Sequence, residues 1–258
     1  TMAGTHPVQA YGHQAQGASI SQQGAMRENI KNTTPFAGSR ACTATVISWT
    51  FGQTSDPYVK IPLEQIDAWM KVWAATTTEQ RHDTRFTWQR HLSTYIGSGR
   101  ALRSMGPAAA TINATLQAGW RPARPDLWFY NATDNCQLDT KPFTRFRIIA
   151  RAQENLQQQV WVRAARHQHG SGLETGIPSF TAARRAIRYL RKKGFFIQAK
   201  ALEYVIVGFF RDPDDDEPGH KRWCKRCAKQ VTATRFHTAY QCPDNNHIDE
   251  QIFKATRR

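Results

Sequence analysis

The chain has 258 residues and carries 35 Lys and Arg against 20 Asp and Glu, a net charge of +15 with an isoelectric point near 10.0. It is long enough to bury a core without disulfides, and no apolar run approaches the roughly 18 residues needed to span a bilayer. These totals argue against a membrane protein or a disulfide scaffold and favour a polyanionic partner, RNA or DNA, bound with release of counterions.

Cysteine usage fits an intracellular, soluble chain of nucleus or cytoplasm. Three of five cysteines crowd one short window, which is not a disulfide framework. Cys42 and Cys136 stand alone and read as small buried hydrophobes. No basic-then-apolar leader opens the chain. The absence of Met at position 1 fits a piece of a longer protein.

Residues 1–40 are rich in Gln, Gly, Ala, Ser and Thr without apolar period, and the expectation is a disordered arm. Next, CTATVISW at 42–49 alternates like a short strand. From Ile61 the pattern turns helical, with Pro62 at the first helical position and Leu63, Ile66, Trp69, Met70 and Trp73 at steps of three and four. A second helix is predicted over 79–96, with Phe86, Leu92, Tyr95 and Ile96 on one face and Trp88 nearby. A third spans 107–117 and closes at Gly119.

GWRPARPDLW at 119–128 reads as a rigid, extended connector pinned by its tryptophans. Residues 143–167 form a long predicted helix with Phe146, Ile149, Leu156, Val160 and Trp161 inward and arginines outward. In 178–194, Ala183, Ile187 and Leu190 share one face, and Arg184, Arg185, Arg188, Arg191, Lys192 and Lys193 surround it. Residues 195–210 are a further apolar segment, with Ala199, Leu202, Val205, Ile206 and Phe209 at helical spacing. DPDDDEPG at 212–219 is an acidic, proline-bracketed linker.

The sequence WCKRCAKQVTATRFHTAYQCP at 223–243 has the spacing C-x2-C-x9-H-x4-C. Closed structural zinc sites take four thiolate and imidazole ligands, and Cys224, Cys227, His237 and Cys242 supply three and one. Zn2+ here is structural, because a tail of this size cannot build a core alone and metal binding becomes folding free energy. Three thiolates and one dication leave a negative centre, which Lys221, Arg222, Lys225, Arg226, Lys229 and Arg235 offset. Trp223, Phe236 and Tyr240 either pack around the ion or stack on bases. His220 and His247 flank the site, but His237 lies between the cysteines and fits better.

The string Asp212, Asp214, Asp215, Asp216 and Glu217 lacks the strand frame that fixes catalytic carboxylates on magnesium. Nor is there a P-loop, GxSxG, GxGxxG or HExxH. In the arginine-rich helix the sign is nearly uniform, with no acid between Glu174 and Glu203, unlike an ordinary salt-bridged surface. Phosphate contact is the expectation there, by Arg184, Arg185, Arg188, Arg191, Lys192 and Lys193, with Trp223, Lys225, Arg226 and Tyr240 adding contacts from the tail.

The terminal Cys224, Cys227, His237 and Cys242, with Thr234 and Pro243 in a T-x-x-H-x-x-x-x-C-P run, resemble the CCHC region that follows the reverse transcriptase domain of non-LTR, LINE-type retrotransposon polyproteins. DPYVKIPLEQIDAWMKVW at 56–73 and GWRPARPDLW look like the connector of such polyproteins. The resemblance implies a non-catalytic portion that handles RNA or DNA beside other parts of a polyprotein. The family's F/Y-x-D-D hairpin is absent, and FRDPDDD at 210–216 does not replace it.

The fold expected is mainly α, with a disordered arm over 1–40, a helical body over 41–211, an acidic linker over 212–219 and a zinc-binding module over 220–258. Two other functions stay open, a basic zinc-containing structural subunit of a ribonucleoprotein and a metal-dependent nuclease.

Overall fold

The computed structural model describes residues 12–37, 41–98, 106–132, 134–138, 142–167, 173, 176–208, 222–223, 227–228, 230–231 and 243. The chain is mainly α and divides into two compact units, Thr1–Val160 and Trp161–Arg258.

The first unit begins with a departure from expectation. Of the expected loose arm, 1–11 and 38–40 lie outside the described residues, and over 12–37 a short helix α1 (His13–Gln16) precedes α2 (Ile20–Asn32). Ser19 starts α2 with a reciprocal cap, accepting from the Gln22 amide at 3.2 Å while Gln22 Oε1 accepts from the Ser19 amide at 2.8 Å. The polar composition that suggested disorder is used locally. Gln23 is buried and donates to the Ala18 carbonyl at 2.9 Å, and Ile30 and Phe36 supply the apolar anchors.

The stretch expected to alternate as a strand is α3 (Thr43–Phe51). Ala44, Thr45, Val46, Ile47 and Ser48 are all buried, so burial on every side overrides the β-propensity of Thr, Val and Ile.

Helix α4 (Pro57–Ala75) starts five residues before Pro62, the predicted first position, which lies inside it. The start signal is Asp56-Pro57. Asp56 Oδ1 accepts from the Tyr58 amide at 2.9 Å, and proline at the first position has no amide to leave unpaired. Asp56 is also buried and binds Arg27 of α2 through Oδ2, at 3.0 Å from Nε and 2.9 Å from a terminal nitrogen. Arg27 in turn lies over the Tyr58 ring at 4.4 Å.

Val59, Ile61, Ile66, Trp69, Met70 and Trp73 form the buried face of α4, against which α1, α2 and α6 (Pro107–Gln117) pack. Helix α6 approaches closely because its inner face is small, Ala108, Ala109, Ala110 and Ala114 with Ile112. Helix α5 (Thr78–Ser98) is polar along most of its length. Trp88 is its fully buried anchor, whereas Phe86, expected on the inner face, is 74% exposed.

The proline-rich connector is a hairpin, β1 (Arg121–Arg124) and β2 (Leu127–Phe129), extended by β3 (Asn135–Gln137) into an antiparallel sheet of order β1-β2-β3. Pro122 pairs with Trp128, Trp128 with Cys136, and a register shift falls between Pro122 and Arg124. Two tryptophans from the helices hold this hairpin. Trp69 Nε1 donates to the Pro125 carbonyl at 2.9 Å, Trp88 Nε1 to the Pro122 carbonyl at 3.2 Å, and the two rings lie 5.1 Å apart.

Helix α7 (Pro142–His167) follows. Within the first unit its Ile148, Ala152, Leu156 and Val160 are buried, while Phe146, expected inward, is exposed. Arg145 Nε donates to Asp67 Oδ1 at 2.6 Å, and Lys71 reaches the other oxygen at 2.9 Å. Partial burial pulls the Asp67 carboxyl up, but Lys71 and Arg145 outweigh it and hold the group below its ordinary value. The stability from this cluster is therefore full above the ordinary carboxylate range and falls as acid titrates Asp67 through its lowered pKa.

In the second unit, Trp161 near the end of α7 meets Phe180 at 6.3 Å. Helices α8 (Thr181–Lys192) and α9 (Phe196–Ile206) pack against each other. Gly194 joins them at φ 79°, a left-handed turn that favours glycine. The Phe195 amide donates to the Leu190 carbonyl and the Gly194 amide to that of Arg191, the two bonds that close a helix end of this kind. An antiparallel strand pair, β4 (Arg222–Trp223) and β5 (Gln230–Val231), aligns Arg222 with Val231 and Trp223 with Gln230.

Asp56 both caps α4 and neutralises Arg27 in a buried position. Asp56→Ala is expected to destabilise the chain by about 3 kcal/mol in chemical denaturation. Asp56→Asn keeps the cap and has a smaller effect.

Candidate functional site

Helix α8 sorts its residues by polarity. Ile187 is buried, and Ala183 and Leu190 are half-buried on the same side. On the helical wheel, Arg185, Arg188 and Lys192 fall opposite that side, with Arg184 and Lys193 at its flanks, and all five are exposed.

Arg191 has a different role. It leans toward α9, where a terminal nitrogen meets Glu203 Oε1 at 2.6 Å, and Lys200 lies 3.6 Å from the other carboxylate oxygen. Glu203, the first acid after the run, therefore ties the two helices together. Spacing within α8 alone groups Arg191 with the phosphate contacts, because it cannot show an acid arriving from the next helix.

Aromatic side chains accompany the cations. Tyr189 is 60% exposed on the outer side of α8, and Lys193 Nζ lies 5.9 Å from its ring centroid. After the Gly194 turn, Phe195 is exposed, and at the start of α9 Phe196 is 65% exposed and Ile197 is 83% exposed. In the apolar segment from 195, the residues at helical spacing divide: Ala199 is buried on its inner side. Leu202 and Ile206 are half-buried, Val205 is exposed, and Phe209 lies outside the described residues. The signal for the outward rings was the run KKGFFI itself, where glycine ends one helix before two phenylalanines begin the next.

Of the four expected zinc ligands, Cys227 lies among the described residues and is half-buried, while Cys224, His237 and Cys242 lie outside them. Lys225, Arg226 and Tyr240, and the side chain of Trp223, also lie outside, as does the acidic linker 212–219. Among the described residues no three His, Cys, Asp or Glu side chains gather as a metal site.

Cys227 lies between two short paired strands. Strands β4 and β5 fold back on each other across residues 224–229, the stretch whose sequence contains the C-x2-C pair. Ala228, directly after Cys227, has φ 50°, a conformation that residues other than glycine rarely adopt.

The solitary cysteines divide. Cys136 is buried opposite Trp128, and burial pushes its thiol up, past the lowering effect of bonds from Tyr130 and the Trp128 backbone. The Tyr130 phenol is likewise pushed up by burial and by Cys136. A thiol so shifted is a packing group. Cys42, expected to be buried too, is half-buried at the start of α3.

A cavity of about 280 Å³ in the first unit is lined by Trp69, Trp73, Asp83, His91 and the start of α6. Among the described residues no helix is long and apolar enough to cross a membrane. No family model, curated protein or solved structure matches the chain.

Because Glu203 is nearly buried while Arg191 is half-exposed, the pair adds modestly to the α8–α9 hairpin. Glu203→Gln is expected to lower stability by about 1 kcal/mol in denaturant unfolding, with helicity retained.

Proposed function

We propose that this chain is a non-catalytic, nucleic-acid-binding portion of a retrotransposon reverse transcriptase-type protein, acting in the nucleus or cytoplasm beside other parts of a larger polyprotein. The observation that carries the binding role is the outer side of α8, where Arg185, Arg188 and Lys192 stand exposed along nearly two helical turns without an acid of their own helix between them. An ordinary surface helix mixes signs at steps of three and four; this one accumulates one sign. Such a face gains affinity for phosphates by displacing counterions and does not by itself read sequence.

The retrotransposon assignment rests on the C-terminal spacing and its T-x-x-H-x-x-x-x-C-P run. Zinc bound by Cys224, Cys227, His237 and Cys242 would supply a fixed fold for residues 220–258 and no reaction chemistry. The β4–β5 hairpin and the left-handed Ala228 support that fit. Around such a centre the surrounding lysines and arginines offset the thiolate charge and extend the cationic surface.

Two measurements test this reading. Metal analysis of the purified chain is expected to give about one zinc per chain, reduced sharply by Cys227→Ser or His237→Ala. A metal-free chain that keeps its fold in strong chelator would remove the zinc module. For the binding face, the triple change Arg185→Ala, Arg188→Ala and Lys192→Ala should weaken RNA or DNA binding evenly across sequences. The slope of log affinity against log salt should drop by up to about 3, near 0.9 for each phosphate no longer neutralised. Unchanged affinity and slope would retire the assignment.

A further inference from the structure

The cationic face of α8 carries something that phosphate binding does not need. Tyr189 falls on the outer side of the helix, near Arg185 and Lys192 by helical spacing, and is largely exposed. Phe196 is exposed just beyond the Gly194 turn. Exposed rings cost free energy in water. Packing does not explain them, because the apolar side of α8 is already satisfied by the burial of Ile187.

Base pairs in a duplex are stacked on each other, so a protein ring meets a base face only by opening the stack. Unpaired bases offer that face freely, and proteins that bind single strands combine cationic grooves with aromatic rings for this purpose. We infer that the outer face of α8 and the turn after it bind single-stranded nucleic acid, with bases stacked on Tyr189 and Phe196 and phosphates held by Arg185, Arg188 and Lys192. This inference rests on the nucleic-acid reading above and narrows it. The span from Arg185 to Lys192 is about 10 Å along the helix, which accommodates about three nucleotides at a stacked rise of about 3.4 Å.

An anionic membrane surface would also attract cations beside exposed phenylalanines. A helix lying on a bilayer, however, puts its apolar stripe into the lipid. In α8 that stripe faces protein at Ile187, and the outward side carries cations and one tyrosine.

The test uses the full chain, a fluorescent single strand of about 12 pyrimidine nucleotides, its duplex, and an abasic strand of equal charge. The pyrimidine strand is expected to bind at least about tenfold more tightly than the abasic strand. Tyr189→Ala and Phe196→Ala should each remove about tenfold from binding to the pyrimidine strand while changing abasic and duplex binding less than about twofold. Tyr189→Phe, which keeps the ring, should retain affinity, and circular dichroism confirms folded variants. Equal affinity for pyrimidine and abasic strands, preference for duplex, or ring variants that weaken all three probes alike would overturn stacking while leaving the phosphate reading intact. Failure to bind any of the three would overturn both readings. Sedimentation with phosphatidylserine vesicles that is not competed by the single strand would overturn the assignment of this face to nucleic acid.

Discussion

Two indole N–H groups hold the first unit together. Trp69 on α4 and Trp88 on α5 each reach a proline carbonyl of the β1–β2 hairpin, and their rings lie against each other between those bonds. Burying a tryptophan gains apolar area, but its N–H must find an acceptor or the gain is offset. Proline offers a carbonyl and has no N–H of its own to satisfy, so a Pro-rich hairpin suits two such donors. Removing either ring would leave a cavity and an orphaned carbonyl together, a combined cost of several kcal/mol. The alanine face of α6 completes the arrangement by letting that helix settle close to α4.

The second unit is organised by charge as much as by apolar burial. Ile187 and Ala199 are buried, and the Arg191–Glu203 pair joins α8 to α9. Gly194 reverses the chain over a short span. The result exposes a cationic helix side and a turn with outward phenylalanines in consecutive stretches of sequence. Both candidate activities of this unit, phosphate contact and base stacking, draw on that single hairpin.

Periodicity made the long helices legible. Helix α6 runs over 107–117 as expected, α7 begins one residue from its predicted start, α8 falls inside the arginine-rich 178–194 and α9 inside the apolar 195–210. Some failures depended on contacts distant in sequence, and one on local polar bonds that composition alone does not report. The strand-like CTATVISW is helical because it is buried on all sides, which no alternation pattern reports. The N-terminal helix was hidden by a Gln-rich composition in which Gln22 closes the capping box on Ser19 and the buried Gln23 donates to the Ala18 carbonyl. Within α5, Trp88 rather than the more regularly spaced Phe86 faces inward, because hairpin carbonyls select an indole over a phenyl ring. For the candidate site, the cationic run was visible in the sequence, but the capture of Arg191 by Glu203 and the exposure of Tyr189 and Phe196 required the helix pair.

The indole contacts also set the terms on which the hairpin can evolve. The acceptors at Pro122 and Pro125 are main-chain oxygens, so the bonds depend on where the backbone runs and only indirectly on which side chains decorate it. Insertion or deletion of a single residue between the two prolines would move one oxygen out of reach and flip the pleat, so length in this loop is under tighter constraint than composition.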